Sequence, residues 1–250
     1  EGRAMKMTIL GSSSKGNCYV LQNDSEALII EAGISLAEVK KALGWNIAKV
    51  KVCIISHQHN DHAGHAAEYE KAGIPLLALP SVIEAKRLEA TTTTAIKEGN
   101  GYIYGGFRIL PFEVKHDVPC VGYLIEHKET GRTLFFTDTY AMPYDFKNIT
   151  HWMAEANYSD EILDQNVLNG WVPAALRRRV ITSHMSIDNT IGILKRSDLT
   201  KTKDILLIHL SDGNSDEKEF ITRVRRATAK TTRAASPGME LDFDKEFINI

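Results

Sequence analysis

The stretch SHQHNDHAGH, Ser56 to His65, sets the terms for any fold this chain can adopt. Four metal-ligating side chains, His57, His59, Asp61 and His62, fall within six residues, directly after the apolar run KVCIIS. That run is rich in β-branched residues and reads as a strand buried on both faces. Alternate residues of an extended chain share a side, so His57 and His59 point together. Asp61 and His62 fall where the chain turns into a helix, and the reversal can aim them back. Three imidazoles and a carboxylate are costly to bury without partners. Imidazole and carboxylate together suit zinc, manganese or iron, and this division of ligands fits a two-metal site.

Three single positions extend the set. His116 in VKHDVP, Asp138 in FFTDTY and His209 in LLIHLSDGN each stand where an apolar strand emerges. Alone, each reads as an ordinary strand-end residue. Beside the His57–His62 cluster they read as further ligands.

The rest of the chain gives the scaffold. MTIL and CYVL are short apolar runs joined by GSSSKGNC, and GYIYGGFRILPFEV reads as a hairpin around Gly105–Gly106. ALIIEAG, KVCIISH, IPLLAL, VGYLIEH, TLFFTDT and ILLIHLS read as strands, with MELDF as a last short one. Helices are expected over SLAEVKKALG (opened by Ser35), 61–73, SVIEAKRLEA, YSDEILDQNVL, PAALRRRV, SIDNTIGILKR and SDEKEFITRVRRATAK. Strands and hairpins dominate the first half, and helices with isolated strands the second. This is an α/β pattern of two packed sheets with helices outside, and no linker or repeat divides residues 1–250, so one domain is expected. GSSSKGNC lacks the Lys-Ser/Thr pair of a P-loop and leads into a strand, and no G-x-G-x-x-G follows the first strand.

Bulk properties exclude some classes. No apolar run approaches the ~20 residues of a bilayer span. EGRAMKMTIL has no long apolar core or small-residue cleavage site, so no secretory leader is expected there. Cys18, Cys53 and Cys120 are odd in number and scattered, which argues for a reducing, cytoplasmic setting. The net charge of -2 is unremarkable, but Trp171–Ala235 holds thirteen Lys or Arg against seven acids, and 222–234 has no acid at all. That basic flank is either a solvated face or a guide for a phosphate backbone. Trp152 and Trp171 read as core in preference to base-stacking platforms.

HQHNDH resembles the H-x-H-x-D-H motif of the metallo-β-lactamase superfamily, with His116, Asp138 and His209 following in that family's order. GSSSKGNC, EANYSDEIL, SHMSIDN and HLSDGN are similar to elements of its YycJ (WalJ) exonuclease-like branch. The resemblance covers nearly the whole chain and implies a four-layer αββα sandwich. It implies that His57, His59 and His116 hold one metal, that Asp61, His62 and His209 hold a second, and that Asp138 bridges them. His184 matches a non-ligand histidine thought to protonate the leaving oxygen in phosphodiesterase branches, and Glu155 is a candidate to orient it. Asp61 is also a candidate to orient the attacking water, and His65 to stand behind the ligands. Where the family usually has Asp after the third strand, this chain has Glu31.

The implied cofactors are two divalent ions, zinc first and manganese second. The implied activity is a dinuclear-metal-dependent phosphodiesterase, foremost a DNA exonuclease acting by a metal-bound hydroxide, with DNA or another phosphodiester as partner and no membrane. Hydrolysis of a small cyclic nucleotide is the alternative, and a thioester, lactone or β-lactam hydrolase a lesser one. No insertion resembling the long arm of RNase Z is visible. The oligomeric state stays open, a homodimer included. The serines of GSSSKGNC are expected to turn a hairpin at the rim of the site and touch substrate phosphate.

Overall fold

Alternation of apolar side chains along the strands decides the layering. In the computed structural model, which describes residues 5–245, the chain forms two sheets of seven strands each. The first half supplies β1 (Lys6–Ser13), β2 (Gly16–Gln22), β3 (Ala27–Ile30), α1 (Leu36–Ala42), β4 (Val50–Ile54), α2 (Asn60–Ala63), α3 (Ala66–Lys71), β5 (Leu76–Ala78), α4 (Pro80–Lys86) and β6 (Thr93–Ala95). The second half supplies β7 (Tyr102–Tyr104), β8 (Phe107–Val114), β9 (Cys120–His127), β10 (Gly131–Phe136), β11 (His151–Glu155), α5 (Asp160–Leu168), α6 (Ala174–Ser183), α7 (Ile187–Arg196), β12 (Asp204–Ile208), α8 (Glu217–Thr228), β13 (Thr231–Ala234) and β14 (Glu240–Asp242).

The sheets run β14-β1-β2-β3-β4-β5-β6 and β13-β12-β11-β10-β9-β8-β7. In each, one half pairs antiparallel and the other parallel: β3 to β6 in the first sheet, β10 to β13 in the second. Side chains at alternate positions sort into layers. Phe135, Met153, Leu206 and Ile208 face inward and share one core with Met7, Ile9, Val20 and Ile29 of the first sheet. Their neighbours Leu134, Phe136, Trp152, Ile205 and Leu207 face outward, onto Ile187, Ile193 and Leu194 of α7 and Phe220 and Val224 of α8. Leu36 and Val39 of α1, Tyr69 of α3 and Val82 of α4 pack on the first sheet's side. The result is the expected αββα sandwich.

The structure departs from the sequence reading at several places. The helix expected over 61–73 is two, because the His65 N–H donates to Ala32 O at 2.9 Å and the chain kinks there. Strand β11, HWMAE, was not anticipated, and it lies centrally and wholly buried. The final helix stops at Thr228, where Ala229 turns left-handed (φ 55), and 231–234 becomes edge strand β13. Trp171 was expected in the core and is 75% exposed, whereas Trp152 is buried. Among the described residues no helix is long and apolar enough to cross a membrane.

Candidate metal centre

Parallel strands gather their carboxyl ends on one edge, and there the two sheets of a sandwich can jointly build a site. Glu31 follows β3 and Ser56–His62 follows β4. His116 follows β8, Asp138 follows β10, Glu155 ends β11 and His209 follows β12. Three of these, Glu31 (φ 68), Asp138 (φ 48) and His209 (φ 56), have left-handed backbones. That conformation costs of order 1–2 kcal/mol for a non-glycine residue, and such strain gathers at functional sites.

The side chains converge in three overlapping groups. The first is His57, His59, His116 and Asp138, the second Asp61, His62, Asp138 and His209, the third Asp138, Glu155, His184 and His209, and within each the ligand atoms all lie within 4.8 Å of one another. His57 Nε2 is 3.0 Å from His59 Nδ1, which is 3.3 Å from His116 Nε2. Asp138 joins the groups. Its Oδ2 lies 3.2 Å from His57 Nε2 and 2.9 Å from His62 Nε2, and its Oδ1 lies 2.9 Å from His209 Nδ1. Asp61 Oδ2 is 3.2 Å from His62 Nε2 and 3.5 Å from His209 Nε2.

Neighbours fix these rings from behind. His116 Nδ1 lies 3.0 Å from Ser183 O, which leaves Nε2 for the site. His57 Nδ1 lies 2.9 Å from Ser56 Oγ. Glu31 is fully buried; its carboxylate accepts from Ser56 N at 3.2 Å and faces His62 Nδ1 at 3.6 Å. The longer acid thus reaches both the start of the His57 loop and the back of His62.

Ser12 was expected to touch substrate. It is buried, its Oγ pairing with Tyr19 Oη at 2.8 Å and accepting from His209 N at 3.0 Å, so it positions His209. Of that loop, Ser14 faces the cleft. Asn17 Nδ2 donates to Asp61 O at 3.2 Å. Gly33 lets this hairpin and the Asp61 turn meet: a Cβ there would fall 1.8 Å from Asp61 O and 2.6 Å from Asn17 N. His65 turns away to Glu68 at 3.0 Å, while His127 and His151 pair with Glu26 and Asp204.

His184 belongs to neither of the first two groups and touches them through Asp138. Its Nδ1 is 2.8 Å from Glu155 Oε1 and 3.2 Å from Asp138 Oδ1, and its side chain is 21% exposed to the cleft. Glu155 is fully buried and also accepts from Thr139 N at 3.0 Å and Met185 N at 3.2 Å. One carboxylate therefore ties the Asp138 loop to the His184 turn.

The electrostatics fit cations. Burial pushes His57 down to about 3, helped by neighbouring His62, so its imidazole is kept in the neutral, ligand-competent form. Burial alone raises the Asp138 carboxyl, but His209 and His62 outweigh it and hold it well below the usual range. Burial opposes charge on His184, yet hydrogen bonds with Asp138 and Glu155 raise it to about 9. His209 Nε2 is buried and makes no hydrogen bond among the described residues. Such an orphaned nitrogen, beside a depressed carboxylate and the neutral His57 imidazole, is the kind of donor a divalent ion needs.

A cleft of about 340 Å³ opens over these residues, lined also by Asp117 and Arg179. Neither was singled out in the sequence. Asp117 Oδ1 lies 3.0 Å from His116 Nε2 and was signalled only by adjacency. Arg179 comes from the RRR run of α6. No residue of the basic flank 222–234 lines the cleft; Arg225 donates to Thr232 O at 2.8 Å and Arg223 pairs with Asp188.

Residues 13–142 match the family model of the metallo-beta-lactamase superfamily, which takes in His57 through Asp138. The chain belongs to that superfamily. It is 26% identical over 256 residues to the exodeoxyribonuclease WalJ of Streptococcus pneumoniae serotype 2, covering 95% of this chain and 92% of that one. It is 25% identical over 229 residues to the exodeoxyribonuclease YycJ of Bacillus anthracis, covering 85% of each. These likenesses support the YycJ-like branch read from the sequence. Among solved structures, the metallo-beta-lactamase fold protein YhfI from Bacillus subtilis superposes with a TM-score of 0.71 at 19% identity, over 96% of this chain and 100% of that one. The chain is a metal-dependent hydrolase of this fold.

Proposed function

We propose that this hydrolase cleaves phosphodiester bonds of nucleic acid and works as a DNA exonuclease. The observation that carries the reading is His184, a partly exposed imidazole anchored at 2.8 Å to a buried glutamate beside the ligand groups. Hydrolysis of an ester needs a proton for the leaving oxygen, and a histidine anchored through Nδ1 offers its Nε2–H for that task. His57, His59 and His116 would hold one ion, Asp61, His62 and His209 the other, and Asp138, common to both groups, would serve both. Bound divalent ions at such a site lower the pKa of water and offset charge on phosphoryl oxygens. Asp61, with a side chain 21% exposed, accepts a hydrogen bond from the attacking water and orients it. Glu155 holds the His184 ring in place and stabilises its cationic form. The names of the relatives support DNA as substrate. Zinc is the first candidate ion and manganese the second. Three free, buried thiols, Cys18, Cys53 and Cys120, support a reducing cytoplasmic setting.

The test is a digest by zinc- or manganese-reconstituted protein. End-labelled single- and double-stranded DNA, a panel of cyclic nucleotides and bis-p-nitrophenyl phosphate are compared. Stepwise shortening of DNA is expected. Hydrolysis of cyclic nucleotides or the generic ester with DNA left intact would overturn the exonuclease reading in favour of a small-substrate phosphodiesterase.

A further inference from the structure

Helices α5 and α6 form a hairpin that leads straight into His184, and its composition is at odds with a purely structural role. Its own core is small, built from Tyr158, Leu163 and Val180. Yet Leu168 is 81% exposed, Trp171 75% and Leu176 43%, three large apolar side chains close together in sequence. Soluble proteins rarely leave such side chains together in water unless something covers them. Arginines accompany them. Arg177 pairs with Asp164 at 2.7 Å, but neither Arg178 nor Arg179 has an acidic partner among the described residues.

The hairpin is fixed relative to the metal centre. Asn166 of α5 donates to Gly213 O at 2.9 Å and Asn214 Oδ1 at 2.8 Å, on the loop that follows His209. Ser159 N donates to Asn214 O at 2.9 Å. At the far end of α6, Ser183 O holds His116 Nδ1. Arg179 lines the cleft alongside His116 and His184. Leu176 lies three residues earlier on the same helical face, and Trp171 stands before α6, in the turn after α5, where its N–H donates to Asn166 O at 2.9 Å.

We propose that the α5–α6 hairpin is a guide arm for one nucleic-acid strand. Arg179 takes a phosphate beside the scissile one, and Trp171 stacks on an unpaired base farther along. This rests on the nucleic-acid reading above. Guanidinium groups suit phosphate oxygens, and exposed indole rings suit bases of any identity, because every base has a π-face. Arg179, in the cleft beside His184 and with no acidic partner among the described residues, favours an anionic strand over a second copy of the chain. The exposed ring selects a single strand, since bases within a duplex are already stacked.

Steady-state kinetics of the metal-loaded protein test the arm. An end-labelled single-stranded 12-mer is compared with bis-p-nitrophenyl phosphate, a small ester for the cleft, whose lining does not include Trp171. Trp171→Ala is expected to raise KM for the 12-mer roughly tenfold, a stacking-sized effect. It should leave hydrolysis of the small ester and the melting temperature unchanged, and Trp171→Phe should restore most of the affinity. Arg179→Ala should lower the salt dependence of strand binding by about 0.7 in the log–log slope, as loss of one phosphate contact requires. If wild type shortens the 12-mer but Trp171→Ala has an unchanged KM, the arm is overturned and the nuclease reading stands. If Trp171→Ala instead splits a dimer in sedimentation with KM unchanged, the face is a self-interface and the arm is again overturned. If wild type cleaves only the small ester, the nuclease reading falls and the arm falls with it.

Discussion

Asp138 shows how one residue can organise a site. Its two carboxylate oxygens face four imidazoles, His57 and His62 through Oδ2 and His184 and His209 through Oδ1. Its backbone is left-handed, at φ 48, just after β10. Removing it should cost both ions, because it is common to both ligand groups. His184 stands outside the proposed ligand sets, so its loss should spare the metals and remove only the proton donor. Asp138→Ala is therefore expected to come through gel filtration depleted of metal and inactive. His184→Ala should keep two equivalents by elemental analysis and lose about 10²–10⁴ in rate, the span of a general acid. A fully metallated, active Asp138→Ala or a fully active His184→Ala would contradict these roles. At this scale the sequence was most legible where ligands are contiguous, in HQHNDH. Arg179 was hidden, because only the facing of α6 tells which of three successive arginines meets the cleft.

Elements matter here mainly through their turns. EANYSDEIL, SHMSIDN and HLSDGN looked like three separate markers, and they interlock through backbone bonds: Asn157 N to Met185 O at 2.9 Å, Ile187 N to Tyr158 O at 2.8 Å and Ser211 N to Asn157 O at 2.9 Å. A sequence read segment by segment does not reveal such pairings. Strand β11 escaped notice because HWMAE is short and lacks turn signals, although it carries Glu155. The hairpin at Gly105–Gly106 was legible from its paired glycines, and the structure adds a tie across the sandwich. Glu26, just before β3, accepts from Gly106 N at 2.7 Å and lies 3.1 Å from His127 Nε2, so it joins the first sheet to the second. Burial raises the Glu26 carboxyl, but the Gly106 and His127 bonds outweigh it and hold it below the usual range. A depressed carboxyl stabilises the fold above its unfolded pKa, near 4.3 for glutamate. That stabilisation is lost as pH falls through the folded value. Urea unfolding of wild type and Glu26→Gln should then show wild type ahead at pH 7 and the gap closing below about pH 4. A gap that is constant with pH would remove the charge from the account.

The whole molecule places its chemistry at a seam. The first sheet contributes Glu31 and His57 to His62, and the second contributes His116, Asp138, Glu155 and His209, so the proposed ions would cross-link the two halves. The sandwich itself was legible because alternation of apolar residues is a property of each strand, whereas the pairing order of the strands is not. We propose that the chain is one folding unit, since the core between the sheets draws side chains from both. Cross-linking and a shared core make a joint prediction. Metal that binds only the folded chain adds about 2.7 kcal/mol at a hundredfold excess over Kd. At roughly 2–4 °C per kcal/mol for a chain of this size, each ion should raise Tm by about 5–10 °C. Calorimetry of chelator-treated and reconstituted protein should show one transition in both states, moved upward on loading. Two resolved transitions would divide the chain into separate units. A single transition that does not move with zinc or manganese would mean that the ligands at the seam do not hold the sheets together through metal.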